Sequence, residues 1–244
     1  MKDKKFEKLN KKSIGKMNKD ISFKKKSENW FLNSLKYEYS YHFEWLGRPI
    51  IQYPQDIIAF QEIVWNVKPE IIIETGIARG GSLILSASLL QLLGHGKVLG
   101  IDIDIRKNNR NEIEKHPLGK RIKIIEGSSI DESVVKKIFK IAKGKKVLVS
   151  LDSNHTHDHV LEEMRLYSPL VTKGSYMIVF DTVIEDIPSN ASKFMKKRQW
   201  GKGNNPKTAV FEFLKTNNRF KVDYDMDKKL MMSAAPSGYL KCIK

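Results

Sequence analysis

Two aspartates follow two apolar strands of this sequence, and their positions allow metal-assisted chemistry. Asp152 comes directly after the apolar run 147–151, and Asp181 closes the run 175–181. Because parallel strands of an open sheet end at the same edge, the two carboxylates are expected to meet there. Such a pair either shares a proton or holds a cation. An all-oxygen site completed by water and substrate suits Mg²⁺, with Mn²⁺ as the competitor.

Three histidines follow the first of these aspartates, at positions 155, 157 and 159. An imidazole titrates near neutral pH, so His155 is a candidate base for removing a proton from a substrate hydroxyl. A cluster of His and Asp is also typical of the two-histidine, one-carboxylate iron site of oxygenases. We rank that site lower, because the parallel strands offer two carboxylates instead. His157 and His159 are expected to face away from His155, and we assign them no catalytic role.

A turn with three glycines follows a buried apolar strand in residues 71–82 and indicates a nucleotide-binding corner. Glycine permits a tight turn and a close approach to a ligand. The G-x-G-x-x-G and G-x-x-x-x-G-K-[ST] patterns are absent from it, so neither NAD nor ATP has its usual loop. Glu74 would repel a phosphate and favours a cationic ligand such as S-adenosylmethionine. The candidate cofactor contacts in this corner are Glu74, Gly76, Gly80 and Ser82.

The next two strand ends extend this predicted cofactor site. The run 97–104 ends in acids roughly 20 residues after the glycines, where a carboxylate can bind ribose hydroxyls. Asp102 is the better candidate, and a solvated strand end is the alternative. Ser128 and Ser129 follow the third strand, where small residues admit a flat adenine ring, although the same turn also suits an ordinary helix N-cap at Ser129 or Asp131. Asp152 borders the same crevice and is a further cofactor candidate.

Alternating apolar runs and helical patterns predict the elements that position these residues. Strands covered on both faces are predicted at 70–75, 97–103, 121–126, 146–151 and 175–181. Helices are predicted at 54–67, 80–93, 107–115, 131–143, 156–168 and from about Thr208. The runs 220–224 and 238–242 suggest a closing antiparallel pair. The pattern predicts an α/β protein with a Rossmann-like, doubly wound, mostly parallel seven-stranded sheet and an antiparallel last strand.

Composition divides the 244 residues into three parts. Residues 1–26 hold 11 lysines against Asp3, Glu7 and Asp20, a charge of +8 that is half of the net +16. This tail has few apolar residues, so we predict that it is disordered or a loosely attached helix. Residues 27–69 are predicted to form an aromatic, helical or irregular segment packed on the core. Residues 70–244 form the predicted cofactor-binding domain.

Charge and cysteine content narrow the class of protein. The basic residues are mostly lysines, including a group at 193–198, and they lack the interleaved aromatics that stack on RNA bases. Nucleic acid is therefore an unfavoured partner, and an RNA methyltransferase stays as an alternative.

Cys242 is the one cysteine, and no apolar run approaches the ~18 residues of a membrane span. We expect a soluble, cytoplasmic protein, and a homo-oligomer stays open.

Several segments, in order, resemble the cephalosporin hydroxylase family, whose relatives include rhamnosyl and macrolide sugar O-methyltransferases. The segments are 45–56, 74–76, 151–155, 169–176 and 236–240. The resemblance runs from roughly residue 40 to the C-terminus and implies a class I, S-adenosylmethionine-dependent methyltransferase that needs a divalent metal. It matches Glu74, Gly76 and Asp102 to cofactor positions, Asp152 and Asp181 to metal ligands, and His155 to the base.

The resemblance also implies the reaction, which is methyl transfer to a hydroxyl of a sugar or a glycosylated natural product. The family name alone does not establish hydroxylation. Relatives commonly carry two acids at the end of the fifth strand, whereas this chain has Phe180 before Asp181. One ligand is then missing, which predicts a weaker metal site or one completed by Asn154 or water. The glycine-rich residues 200–207 are expected to form a mobile loop beside the acceptor site, with an inert surface loop as the alternative.

Overall fold

A seven-stranded sheet forms the centre of the protein in a computed structural model that describes residues 3–188 and 198–244. Its strands are β3 (Ile71–Thr75), β4 (Lys97–Asp102), β5 (Ile122–Glu126), β6 (Val147–Leu151), β7 (Tyr176–Val179), β8 (Phe220–Val222) and β9 (Tyr239–Cys242). They lie in the order β5-β4-β3-β6-β7-β9-β8, and β9 is antiparallel to both of its neighbours. The predicted fold class is confirmed.

Helices from residue 54 onwards cover both faces of the sheet, and two further helices precede them in the chain. They are α1 (Lys4–Lys19), α2 (Ile21–Ser34), α3 (Pro54–Val67), α4 (Gly81–Leu93), α5 (Lys107–Lys115), α6 (Glu132–Ala142), α7 (His157–Tyr167), α8 (Pro206–Thr216) and α9 (Tyr224–Leu230). The five helices predicted between residues 54 and 168 lie within one residue of their expected bounds, because caps such as Asp131 are local signals. Within the described ranges, no helix combines the length and the apolar character that crossing a membrane requires.

Alternate residues of the central strand β3 pack into two separate apolar clusters. Ile71 and Ile73 face a cluster that contains residues of α6, α7 and α8. Ile72 faces the opposite cluster, which contains residues of α3 and α4. Both faces of the strand are therefore covered, which explains its unbroken apolar sequence and leaves the strand ends as the place for polar residues.

A short hairpin, β1 (Phe43–Trp45) and β2 (Arg48–Ile50), lies in the segment predicted to be helical or irregular. Its turn residues Leu46 and Gly47 both have positive φ, at 47° and 82°. That geometry matches the twist of a two-residue hairpin, and the absence of an Asn-Gly signal hid it from sequence reading. The hairpin closes against α4, where Trp45 Nε1 donates to Ser88 Oγ at 3.0 Å.

A buried carboxylate joins α3 to the last strand. Asp56 accepts hydrogen bonds from Ser233 Oγ at 2.5 Å, the Ala234 amide at 2.8 Å and Tyr239 OH at 2.6 Å. Burial raises its pKa to about 6, although these hydrogen bonds act in the opposite direction. The network fixes the start of α3, and with it the preceding residues Gln52 and Tyr53, over the ends of the parallel strands.

The basic tail is helical over most of its length. Asp3 caps α1 by accepting from the amides of Lys5 and Phe6, and no residue of α1 is buried. The structure therefore shows this segment as a helix at the surface, which is the second of the two states predicted for it. Of the second basic group, at 193–198, only Arg198 lies within the described residues.

Deleting residues 1–26 is expected to leave the domain folded, with a small change in melting temperature, because α1 contributes no buried side chain. The matched longer deletion, 1–34, also removes buried Phe31, which stacks on Tyr53 with ring centroids 4.9 Å apart. That deletion should lower the melting temperature clearly. Thermal unfolding followed by circular dichroism compares the two, and a large loss in the shorter deletion would show that the tail packs.

Candidate active site

A cavity of about 500 Å³ lies at the carboxyl ends of five adjacent strands, β5, β4, β3, β6 and β7. This is the edge at which open α/β sheets bind ligands. The lining includes most residues proposed from the sequence, namely Gly76, Gly80, Ser82, Asp102, Ser128, Ser129, Asp152, His155 and Asp181. Aromatic side chains of the N-terminal segment, including Tyr39, Tyr41 and Tyr53, form the opposite wall.

Gly76 lies where two strand ends come too close for any side chain. Its φ is +84°, and a Cβ atom there would lie 2.1 Å from the backbone oxygen of Asp152. Its amide donates to the carbonyl of Ile101 at 2.8 Å. The glycine therefore lets the corner of β3 pass between β4 and β6, which brings the loop that follows β3 next to the aspartate at position 152.

Glu74 lies beneath the corner and is absent from the cavity wall. Its side chain is 3% exposed and accepts a hydrogen bond from Ser82 Oγ. Burial raises the pKa of Glu74 to about 7, against the smaller lowering effect of that hydrogen bond. The sequence suggested that Glu74 itself faces the ligand; in the structure its carboxyl group instead holds Ser82, which does line the cavity.

The raised pKa of Glu74 predicts a pH-dependent stability. The pKa rises from 4.5 to about 7 on folding, so the stabilising contribution is complete below pH 4.5 and is lost as pH rises through 7. We expect the free energy of unfolding to fall over this interval by on the order of 3 kcal/mol. Glu74→Gln should remove this part of the slope in urea unfolding, whereas exposed Glu44→Gln should retain it. An unchanged slope in Glu74→Gln would contradict the assignment.

Asp102 organises the loop that follows β3. Its two carboxylate oxygens accept from the Ile77 amide at 2.8 Å and the Asp104 amide at 3.2 Å. A carboxylate offers about four acceptor positions, so capacity remains for a pair of ribose hydroxyls in the cavity. Asp104 is exposed and does not line the cavity. The geometry therefore favours Asp102 over Asp104 as the candidate that binds the ribose hydroxyls, and Asp102 is also the residue that the sequence analysis preferred.

The serines after β5 are available to a ligand because a different residue caps the next helix. Asp131 accepts from the amides of Ser133 and Val134 and so caps α6. Ser128 and Ser129 both line the cavity instead. Of the two capping residues that the sequence left open, Asp131 makes the cap, and Ser128 and Ser129 border the cavity.

His159 also lines the cavity, contrary to the expectation that it faces away from His155. Its Nε2 lies 3.1 Å from Ser129 Oγ and 3.3 Å from Ser153 Oγ. Ser153 in turn donates to Glu163 at 2.7 Å, and Glu163 is fully buried. His159 and Glu163 are four residues apart on α7 and so share one helix face, which was the sequence signal for this pair, whereas His155 precedes the helix. His157 instead contacts Thr208 and Glu212 on or beside α8.

Asp152, His155 and Asp181 form a cluster whose ligand atoms all lie within 4.8 Å of one another. His155 Nε2 is 3.3 Å from Asp181 Oδ2, and Gln52 Nε2 donates to Asp152 Oδ2 at 3.2 Å. Burial, and then the charges of Asp181 and Glu74, raise the pKa of Asp152 well above its usual value. Adjacent carboxylates that repel each other fit a divalent cation between them.

The donor set of this cluster distinguishes two kinds of metal site. It contains two carboxylates and one imidazole among the residues that the structure describes. A two-histidine, one-carboxylate iron site would need a second histidine there, so this composition fits Mg²⁺ or Mn²⁺ better. Gln52 was missed as a neighbour of the cluster, although it belongs to the motif at 45–56 that carried the family resemblance.

Phe180 does not face the cluster. It is 5% exposed and lies in the apolar cluster that also contains Tyr239. A glutamate at this position would have to leave that cluster to reach a cation, so the change would carry a burial cost as well as adding a ligand. Asn154 uses its side-chain oxygen locally, to accept from the Thr156 amide at 2.9 Å.

The glycine-rich segment 200–207 has more fixed contacts than its composition indicates. Gly201 and Asn204 exchange two backbone hydrogen bonds, at 2.9 and 3.0 Å. Asn205 is fully buried, caps α8 and also donates to the Gly201 carbonyl at 2.8 Å. Trp200 lies edge-on against His155 with ring centroids 5.3 Å apart. Trp200 therefore lines the cavity beside the histidine, and an asparagine-based turn holds the residues that follow it.

The sheet order, with antiparallel β9 between β7 and β8, and the cavity at the strand ends define a class I methyltransferase fold. The rhamnosyl O-methyltransferase/CmcI family model matches residues 37–243. The chain belongs to this family, as the motif resemblance indicated.

Individual relatives agree with this assignment. A rhamnosyl O-methyltransferase of Mycobacterium bovis (strain BCG / Pasteur 1173P2) is 29% identical over 192 residues, covering 76% of this chain and 72% of the relative. One from Mycobacterium leprae (strain TN) is 28% identical over 203 residues, covering 80% and 81%.

Solved structures of CmcI share the fold. An apo structure aligns with a TM-score of 0.56 at 19% identity, covering 84% of this chain and 77% of that one. A structure of CmcI with Mg and SAM aligns with a TM-score of 0.57 at 18% identity, covering 84% and 78%. At these identities the likeness establishes the architecture, and the chemistry rests on this chain's own residues.

Proposed function

We propose that this protein is an S-adenosylmethionine-dependent, divalent-metal-assisted O-methyltransferase that acts on a hydroxyl of a sugar or a glycosylated natural product. The observation that carries the proposal is the presence, in one cavity, of the glycine corner and of the cluster formed by Asp152, His155 and Asp181. The rhamnosyl O-methyltransferases that match most of the chain support a sugar as the acceptor.

The residues along β3, β4 and β5 would hold the methyl donor. Asp102 would accept hydrogen bonds from the ribose hydroxyls, and Ser128 and Ser129 would border the adenine. The loop 76–82, held by Glu74 and Asp102, would enclose the methionine part. When bound, S-adenosylmethionine supplies an electrophilic methyl group on a sulfonium.

The residues at the ends of β6 and β7 would hold the cation and the acceptor. Asp152 and Asp181 are the proposed metal ligands, and Gln52 orients the first of them through its amide. When bound, a divalent cation lowers the pKa of a substrate hydroxyl and orients it. His155 accepts the hydroxyl proton, and the Asp181 carboxylate, 3.3 Å from its Nε2, stabilises the imidazolium that results.

Trp200 and the tyrosine wall would shield this side of the cavity from water when the acceptor is bound. Trp200 restrains the His155 ring through its edge-on contact, and Tyr41 and Tyr53 lie on the opposite wall. Exclusion of water strengthens the electrostatic interactions of the cluster and limits hydrolytic side reactions.

We place the protein in the cytoplasm because its cysteine, Cys242, is a buried free thiol, as is usual in a reducing compartment.

Isothermal titration calorimetry with S-adenosylmethionine and its demethylated product, with and without Mg²⁺, tests the proposal. We expect the chain to bind both compounds, and Asp102→Ala to weaken binding at least tenfold, about 1.4 kcal/mol. Asp104→Ala is the matched control, because Asp104 lies two residues away and outside the cavity lining. Equal affinities for the two variants would remove Asp102 from the site. Failure of the wild-type chain to bind the donor would favour a hydroxylase or a binding protein.

A further inference from the structure

The first helix carries two opposite faces that the proposed function does not use. One side holds seven lysines, Lys4, Lys5, Lys8, Lys11, Lys12, Lys16 and Lys19, and all of them are exposed. The other side holds Phe6, Leu9, Ile14 and Met17 at helical spacing. A short helix with a lysine face and an apolar face is the pattern of a helix that lies in a membrane interface.

Only part of the apolar face is used inside the protein. Ile14 and Met17, in the second half of α1, are half-buried, and α1 packs near α9. Phe6 and Leu9 lie at least one helical turn closer to the N-terminus. Their side chains are 63% and 59% exposed. Ile21 at the start of α2 is 81% exposed. Large apolar side chains are thus concentrated at the surface beside the most basic part of the chain.

We propose that α1 and the start of α2 dock on an anionic lipid surface. Phe6 and Leu9 would enter the boundary between headgroups and acyl chains, as the apolar faces of interfacial helices do. Lys5, Lys12 and Lys16 border that face, so their stems can extend and place the ammonium groups at lipid phosphates. The charge of +8 over residues 1–26 complements the negative potential of such a surface.

A lipid surface matches this element better than RNA does. RNA phosphates would neutralise the lysines but would offer no apolar phase for Phe6 and Leu9. Residues 1–26 contain no arginine, and their aromatic residues are Phe6 and Phe23 alone, so stacking platforms for bases are few. At its other end α2 reaches Phe31, which lines the cavity together with Leu35. The docking element is therefore continuous with the cavity wall.

Vesicle co-flotation of the full chain tests the proposal without any methyl donor. The vesicles contain phosphatidylcholine with phosphatidylglycerol, or phosphatidylcholine alone. We expect binding to the anionic vesicles and little to the neutral ones. The double variant Phe6→Ser/Leu9→Ser should weaken binding by on the order of tenfold. Leu92→Ser is the matched control, since Leu92 is 75% exposed near the end of α4 and lies outside residues 1–26. A second variant, Lys5→Gln/Lys12→Gln/Lys16→Gln, should also weaken binding, and added salt should do the same.

Three results would overturn the proposal. They are an absence of binding to anionic vesicles at low salt, equal binding by the Phe6→Ser/Leu9→Ser variant and wild type, and complete displacement of the protein from vesicles by polyuridine at matched phosphate concentration. The last result would identify the tail as an RNA-binding element. Donor binding measured by calorimetry in the same variants reports on the proposed function separately, because Phe6 and Leu9 lie outside the cavity lining.

Discussion

Asp152→Ala is expected to abolish metal-dependent methyl transfer while S-adenosylmethionine still binds. The substitution removes one of two carboxylates in the cluster and the acceptor of the Gln52 amide. It does not disturb the contact with Gly76, because that contact is made by the backbone oxygen of Asp152. The donor corner and the metal cluster share residue 152 through different atoms, so the two properties should separate.

The measurement compares turnover on a sugar acceptor and donor affinity in the same preparations. Asp181→Ala should give the same result, since its carboxylate completes the pair. Asp158→Ala is the matched control, because Asp158 is an exposed aspartate on α7 that lies outside the cavity lining. If wild type is fully active in EDTA and Asp152→Ala is also active, the metal-assisted mechanism is wrong. Catalysis by proximity of donor and acceptor would then be the better explanation.

The Asp152→Ala protein should also be at least as stable as wild type in the absence of metal. Burial and the neighbouring charges of Asp181 and Glu74 raise the pKa of Asp152, which means that the ionised carboxylate opposes folding at neutral pH. Removing it should raise the melting temperature in EDTA. A stable but inactive variant would show that the loss of turnover is chemical and not a result of unfolding.

His155→Ala is expected to lower the maximal rate by ~10²–10⁴, the usual contribution of a general base. The imidazole lies against Asp181 and Trp200 in the cavity wall, so its position is fixed for proton transfer. Donor affinity should change little, because the residues proposed to bind the nucleoside lie at the ends of other strands. The loss should persist at saturating Mg²⁺, and added imidazole should restore part of the rate.

The same histidine contributes a possible ligand atom to the cluster, so two roles must be separated. If His155 mainly held the cation, a high Mg²⁺ concentration would restore turnover in His155→Ala. A persistent rate loss at saturating metal identifies the base. His95→Ala is the control, because His95 is an exposed histidine outside the cavity lining. A wild-type rate in His155→Ala would assign proton removal to another group or to water.

Local sequence patterns were sufficient for the sheet, most helices and the strand-end residues of the site. Apolar runs covered on both faces identified the parallel strands, and their carboxyl ends carried Asp102, Asp152 and Asp181. The glycine corner was predictable because only glycine fits where β3 turns, as the backbone of residue 76 shows. These features depend on residues adjacent in the chain, so periodicity and turn chemistry report them directly.

Tertiary packing decided how distant residues meet around these positions. Gln52 reaches Asp152 across 100 positions of sequence, and His159 approaches Ser129 across 30. Glu74 was expected at the ligand and lies beneath the loop, because its side chain turns to Ser82 at the start of α4.

Side-chain direction at strand ends, the hairpin at residues 43–50 and the helical tail also required the structure. Phe180 and Asp181 are neighbours in sequence, yet one packs in the apolar core and the other faces the cavity. The sequence by itself determined the strands of the sheet, the helices between residues 54 and 168 and the residues that lie at their ends. Only the tertiary structure decided which side chains share the cavity, because that depends on the packing of elements whose contacts leave no periodic signal in the chain.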